Sequence, residues 1–147
     1  MKVVIQRALE SSVEVNHKTV GKIPFGLVIL VGFTENDIEQ DILYIVKKVI
    51  NLRIFPDELN IMNKSILDVK GSILSISQFT LFADTKKGNR PSYIKALNGN
   101  LAKTLYDTFN AELKKYVSVE TGIFGADMQV NIKNDGPITI IIDSKNK

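Results

Sequence analysis

The 147-residue chain is 44% hydrophobic and 24% charged, a balance that suits one globular domain and argues against a disordered or collagen-like chain. It has no Cys, which excludes disulfides, thiolate nucleophiles and Cys-type metal sites, and a single His, His17, which excludes any mechanism or metal site needing two imidazoles from one chain. The net charge is +3, with 16 of the 19 basic residues being Lys, an excess that permits a polyanionic partner without requiring one.

Met1 to Leu9 alternates, with Val3, Ile5, Arg7 and Leu9 on one face of a strand. Ser12 to Ile23 alternates too and breaks at Asn16-His17-Lys18, a hairpin turn. Phe25 to Phe33 is almost continuously apolar, a strand buried on both faces. Its longest apolar run, Gly26 to Phe33, is far too short for a membrane span. Lys2, Arg7, Glu10 and Glu14 near the start do not fit a signal peptide, so a cytoplasmic location is expected.

Between Asn36 and Arg53 the period changes. Ile38, Ile42, Ile45, Val49 and Leu52 form the stripe of an amphipathic helix, with Thr34 and Asn36 as candidate N-caps. Ile54 to Ser65 contains Pro56 and reads as irregular. Gly71 to Phe82 reads as a long strand, followed by a polar loop from Ala83 to Ser92. A second helical stripe runs through Ala102, Tyr106, Phe109, Leu113 and Tyr116. Strand signals return in Val117–Phe124, Met128–Lys133 and Ile138–Asp143, with Asn134-Asp135-Gly136-Pro137 as the turn before the last. The order β-β-β-α-β-α-β-β-β predicts an α+β fold. Its mixed or antiparallel, barrel-like sheet carries two main helices, and residues 1–147 form a single domain.

Elimination narrows the chemistry. His17 reads as an exposed turn residue rather than a catalytic base. No Gly-x-x-x-x-Gly-Lys loop or Gly-x-Gly-x-x-Gly run follows a strand, so the common nucleotide cradles are missing. Glu39 and Asp41 read as part of a solvated helix face. No cofactor or metal is expected.

Three features remain. Gln78 and Thr80 interrupt the apolar face Leu74, Ile76, Phe82 of the long strand. They either satisfy nearby backbone groups or mark a site opening at the strand's end. Asn134 to Pro137 reads on its own as an ordinary trans turn. Arg7, on an apolar face, either snorkels from an edge strand or is a buried guanidinium holding carbonyls or a carboxylate.

Taken together, several segments resemble the D-aminoacyl-tRNA deacylase family almost end to end. They are Met1–Arg7; Leu52-Arg53-Ile54-Phe55 with Met62-Asn63 and Ser65; Ser77-Gln78-Phe79-Thr80-Leu81-Phe82; Lys87–Ser92; Thr121–Met128; and Asn134-Asp135-Gly136-Pro137-Ile138-Thr139. The third and last are similar to the family's two signature motifs. Leu59-Asn60-Ile61, where relatives carry a Gly-Lys turn, and Leu97-Asn98-Gly99, where a Pro is usual, depart from the pattern outside those motifs.

The resemblance implies a homodimer that hydrolyses the ester joining a D-amino acid, or glycine as on mischarged tRNA(Ala), to the 3′-terminal adenosine of tRNA. It implies that Ser77, Gln78, Phe79 and Thr80 form the pocket wall and oxyanion donors, acting through backbone N–H groups, with the substrate's own 2′-hydroxyl helping to activate water. It implies a cis Gly136–Pro137 bond. Gly136 and Pro137 would enter the partner's site to reject L-amino acids, with Arg7, Asn134 and Thr139 in the same motif. Phe124 either stacks on the terminal adenine or packs in the core. Lys86, Lys87 and Arg90 are candidate phosphate contacts. The competing reading is a non-catalytic RNA- or DNA-binding module. A peptidyl-tRNA hydrolase-like enzyme is disfavoured, because that class leans on a catalytic His.

Overall fold

The computed structural model describes residues 1–146. Four strands precede the first helix: β1 (Lys2–Ala8), β2 (Ser11–Val15), β3 (Lys18–Ile23) and β4 (Gly26–Gly32). The alternating 12–23 segment is thus two strands. Asn16 and His17 join them with φ of 50° and 62°, the left-handed pair that a tight hairpin with the native strand twist requires. After α1 (Glu39–Asn51) come β5 (Phe55–Pro56), β6 (Met62–Lys64) and β7 (Ser72–Ser77). A 3-10 turn (Phe79–Phe82), α2 (Gly99–Lys114), β8 (Val119–Thr121), β9 (Gln129–Asn131) and β10 (Asn134–Asp143) complete the chain.

The main sheet has the order β10-β1-β4-β7-β8. β1 is antiparallel to both neighbours, while β4, β7 and β8 run parallel. A smaller antiparallel sheet has the order β3-β2-β9. Both helices lie on one face of the main sheet, where Leu27, Ile29 and Ile73 meet Ile42, Ile45 and Phe109. On the other face Val28, Leu74 and Ile76 meet Val13 and Ile23 of the small sheet. β4 is therefore covered on both sides, which is why its sequence is apolar without alternation. The result is the expected α+β architecture, two helices on a mixed sheet.

Several boundaries differ from the sequence reading. α1 starts at Glu39, with Ile38 at the N-cap and exposed. The Ile38 N–H donates to Asp41 Oδ2 (3.0 Å) and the Thr34 N–H to Asp37 Oδ2 (2.8 Å), so Thr34 and Asn36 cap nothing. Residues 54–65 are not irregular but hold the β5–β6 hairpin. Its turn is organised by Asp57, whose Oδ1 accepts the Leu59 and Ile61 N–H groups, and Asn60 takes the left-handed position (φ 59°). Asn tolerates that conformation better than other non-glycine residues. Asn98 caps α2 by accepting the Asn100 N–H at 3.1 Å.

The predicted long strand 71–82 ends at Ser77, so Gln78 and Thr80 do not continue its face. Tyr116 lies past the end of α2 and is exposed, and only Val119–Thr121 of 117–124 is strand. Leu9 is exposed beyond β1, with Ala8 buried instead. Asn134–Pro137 is no turn: it is the bulged start of β10, paired as Ala8↔Asn134 and Gln6↔Thr139 around a cis Gly136–Pro137 peptide.

Candidate active site

β4 and β7 finish side by side, with Val31 opposite Ser77. The Gln78 N–H donates to Val31 O at 2.7 Å and makes the last bond between them. The chain then turns away, with Leu81 N–H to Gln78 O at 3.3 Å and Ala83 N–H to Thr80 O at 3.0 Å. A Cβ on Gly32 would stand 2.8 Å from the Gln78 carbonyl oxygen, so glycine there lets the turn close onto the end of β4. The Phe79 and Thr80 N–H groups open this helical turn and have no acceptor within it.

The turn borders a cavity of about 560 Å³. Ser77, Gln78, Phe79 and Phe124 all line it, so the structure brings these four expected site residues together. Thr80 is not on the wall; its Oγ1 accepts a hydrogen bond from Gln78 Nε2. Apart from Tyr93, no lining residue is titratable: there is no carboxylate, imidazole, ammonium or guanidinium. Phe79 and Tyr93 meet edge to face at 5.0 Å, and both are exposed. His17 is exposed in the β2–β3 turn, outside the cavity.

Phe124 fits both alternatives raised for it. It packs partly against the main core, and its ring contacts Tyr106 at 5.7 Å. Tyr106 is buried, which pushes its phenol pKa up, and its hydroxyl donates to Ser75 O at 2.7 Å. Lys86, Lys87 and Arg90 sit in an exposed loop closed by mutual backbone hydrogen bonds between Asp84 and Ser92. None of the three lines the cavity. Hydrogen bonds from the Lys86 N–H and Lys95 hold the Asp84 carboxyl below its ordinary value.

The second motif lies elsewhere. Asn134 Nδ2 donates to Arg7 O (2.9 Å) and Ile138 O (3.0 Å), bracketing Asp135-Gly136-Pro137. Arg7 Nη1 donates to Ile54 O at 2.8 Å. Its Nε stands 2.8 Å from Asp135 Oδ2, an ion pair in which the N–H does not point along a hydrogen bond. Arg7 is thus a half-buried guanidinium holding a carbonyl and a carboxylate, the sharper of its two readings. Gln6 Nε2 donates to Thr139 Oγ1 at 3.1 Å. Gly136 has φ 122° and Ile138 Cγ1 2.7 Å from where a Cβ would be, so no other residue fits without displacement. This cluster faces Leu27 and Gly26 at the start of β4, whereas the cavity opens at Gly32. Five residues of strand, roughly 15 Å, separate the two.

Gly32, Ala126 and Met128 also line the cavity. Sequence reasoning did not single them out, because small and apolar residues at a strand end or in a loop carry no chemical signal of their own. Among the described residues no group of His, Cys, Asp and Glu is arranged to hold a metal ion, and no helix is long and apolar enough to cross a membrane.

The model of a family described as D-Tyr-tRNA(Tyr) deacylase matches residues 4–143. A solved structure described as "c-Myc DNA Unwinding Element Binding Protein" is 37% identical to this chain. It superposes with a TM-score of 0.92, over 97% of this chain and 98% of that one. A probable eukaryotic D-amino acid tRNA deacylase shares the fold at a TM-score of 0.84 and 18% identity, over 96% and 97% of the two chains. With both signature motifs in place and the match running almost end to end, the chain belongs to the D-Tyr-tRNA(Tyr) deacylase family, a family of hydrolases.

Proposed function

We propose that this chain hydrolyses the ester between a D-amino acid and the terminal adenosine of tRNA, in the cytoplasm, as a homodimer. One observation carries the reading: apart from the Tyr93 phenol, the cavity beside the first signature motif has no titratable side chain, yet it is walled by Ser77, Gln78 and Phe79, where the following turn leaves the Phe79 and Thr80 N–H groups without an internal acceptor. Such donors stabilise the tetrahedral oxyanion by roughly 10²–10³ in rate each. The attacking water is activated by the substrate's own 2′-hydroxyl. The terminal adenine stacks on Phe124, and Lys86, Lys87 and Arg90 meet acceptor-stem phosphates.

Selection against L-amino acids belongs to the partner subunit's copy of the Gly136–Pro137 segment, entering the cavity so that its two carbonyls face the substrate's α-carbon. Rigid backbone atoms reject an L side chain that a mobile side chain would admit. Glycine has no side chain to reject, so glycyl-tRNA(Ala) is a substrate too. Support for the dimer comes from the roughly 15 Å of strand between a chain's own second motif and its own cavity.

The test is hydrolysis of D-Tyr-tRNA, L-Tyr-tRNA and glycyl-tRNA(Ala) by the purified protein. Release from the first and third alone is expected, and equal rates on D- and L-Tyr-tRNA overturn the chiral reading. The description of the 37%-identical structure as a DNA unwinding element binding protein favours one alternative, a nucleic-acid-binding module without catalysis. Binding of tRNA or DNA with no ester cleavage would establish it.

A further inference from the structure

The α-ammonium of Met1 is fully buried, and so is the side chain of Asp37, whose Oδ1 accepts from it. Its second acceptor is Ser144 Oγ at 2.7 Å, on a buried residue. Lys145 is a further cation, 3.7 Å from the same Asp37 oxygen, but it lies closer to Asp41, at 2.6 Å. A buried carboxylate is costly unless a counter-ion and hydrogen bonds satisfy it, so Asp37 depends on the Met1 ammonium. An acyl group or an added residue on that nitrogen would remove the charge and leave one N–H for two acceptors. It would also need space inside packed protein, because Met1 has no exposed surface.

The other oxygen of Asp37 leads towards the cavity. Oδ2 accepts the Thr34 N–H at 2.8 Å, and the Asp37 N–H donates to Thr34 O at 3.1 Å. Thr34 Oγ1 in turn donates to Lys95 O at 2.7 Å, and the Leu97 N–H donates to Phe33 O at 3.0 Å. Phe33, Tyr93, Ala96 and Leu97 all line the cavity. The loop from β4 to α1 is thus tied on one side to a buried ion pair and on the other to the 93–97 wall. The Ser77–Phe79 wall is held separately, by the Gln78 N–H on Val31 O at 2.7 Å. We infer that the Met1 ammonium and Asp37 are a positioning pair for the cavity. Through Thr34, the free amino group sets where the 93–97 wall stands, so blocking it weakens substrate binding and leaves the chemistry intact. In its kinetic consequence the inference rests on the deacylase reading above.

The test compares the parent with a form carrying one glycine before Met1, with Asp37→Asn, with both changes together and with Thr34→Val. On D-Tyr-tRNA, the extension and Asp37→Asn should each raise KM about tenfold with kcat per folded site within about threefold, the pattern of lost binding rather than lost chemistry. With both changes KM should rise no further than with one, because each breaks the same pair. Thr34→Val keeps the ion pair and cuts only the bond to Lys95 O, so it should raise KM part of the way. KM does not depend on the fraction of protein that is folded. Amide hydrogen exchange reads the same coupling without substrate. The extension and Asp37→Asn should lower protection at Thr34 and Leu97 by about tenfold or more beyond any loss along the β1–β4 ladder. KM effects that multiply in the double change, a Thr34→Val protein with parental KM, or exchange losses no larger at Leu97 than in the ladder overturn the inference. If the parent cleaves no D-Tyr-tRNA, the deacylase reading fails instead, and the exchange pattern alone decides the role of the pair.

Discussion

At one end of the main sheet, β4 and β7 stop at Gly32 and Ser77 and open into a cavity whose lining is almost free of charge. At the other end, β1 and β10 carry a guanidinium, a carboxylate and two amide side chains clustered around Gly136–Pro137. The first end receives: it is concave, and besides the neutral Ser77, Gln78 and Tyr93 its polar groups are backbone groups at the start of a helical turn. The second end is exposed at Gly136 and Pro137, and its polar side chains bind one another and the backbone around that segment, Asn134 tying Arg7 O to Ile138 O. A pocket that relies on main-chain donors needs no titrating side chain. A segment that must hold its shape without burial needs many hydrogen bonds. The two ends are complementary in kind yet face apart within one chain, and that is why the proposed site requires two chains.

The most direct way to break this pairing is to damage the two ends in separate chains. Gly136→Val forces a Cβ against Ile138 and displaces the exposed segment, while Gln78→Ala alters the receiving end. Each variant alone is expected to lose about 100-fold or more in D-Tyr-tRNA hydrolysis, the scale on which small misplacements act. Refolded together, random pairing gives half mixed dimers with one intact site each, so about a quarter of parent activity should return. No recovery in a mixture that sedimentation shows to be dimeric would mean that each chain completes its own site.

A smaller effect sharpens the account of the receiving end. Thr80→Ala keeps its backbone N–H and loses a hydroxyl that lies off the cavity wall and accepts from Gln78. Activity is expected to stay within about tenfold of the parent, where loss of a covalent nucleophile costs several orders of magnitude. D-Tyr-tRNA ending in 2′-deoxyadenosine should react about 100-fold more slowly, because general-base help of the usual size is gone. His17→Ala should be silent. Single-turnover hydrolysis measures all three against the parent, and a dead Thr80→Ala beside a fully reactive deoxy substrate reverses the assignment.

The two ends also differ in how far they could be read from sequence. Periodicity placed β1 and both helices, which are set by burial of alternate or of every third and fourth side chain; an unbroken apolar run placed β4, and the break in alternation placed the 16–18 turn. It failed at 78–82. No Gly or Pro marks the end of β7; the strand stops because its partner β4 stops, a tertiary cause. It failed again at 134–137, where four good turn residues sit in an extended, bulged strand because β1 pairs across them. Arg7 was visible as a charge on an apolar face, but its partners Ile54 O and Asp135 are 47 and 128 positions away. Both signature motifs were therefore found by resemblance rather than by local rules. The cavity's apolar wall at Ala126 and Met128 lies in the Thr121–Met128 resemblance but carries no chemical signal of its own.

Around the receiving end, the 84–92 loop offers a third and gentler probe. If Lys86, Lys87 and Arg90 each meet one phosphate, tRNA affinity falls with salt at a log–log slope near −2 to −3 from these contacts, at about 0.7–0.9 counterions each. Replacing all three by Ala should flatten the slope by that amount and leave kcat unchanged. An unaltered slope would mean that the loop is only solvated.

The smallest expected effect is on stability and again separates the ends. Asp41 at the start of α1 is tied to Lys145, just past β10, at 2.6 Å, beside the Lys2↔Gly32 and Lys2↔Asp143 pairs that mark the receiving end of the sheet. Burial pushes the Asp41 carboxyl up, but hydrogen bonds from Lys145 and the Ile38 N–H outweigh it and bring its pKa down to about 2 from an ordinary 3.8. A carboxyl depressed in the folded state adds stability that is fully present above its unfolded pKa and is lost as pH falls through its folded one. The window is therefore pH 4 down to pH 2, and the contribution at neutral pH is about 2 kcal/mol. Asp41→Asn should be less stable than the parent by about that amount at pH 7, and the gap should close as the pH approaches 2. Asp135, 38% exposed in its ion pair with Arg7, is open to solvent screening, so Asp135→Asn should shift neutral stability by less than about 1 kcal/mol. Urea unfolding of both variants between pH 2 and pH 7 measures the contrast. A gap for Asp41→Asn that does not narrow below pH 4 would show that the clasp at the receiving end is not held by its charge.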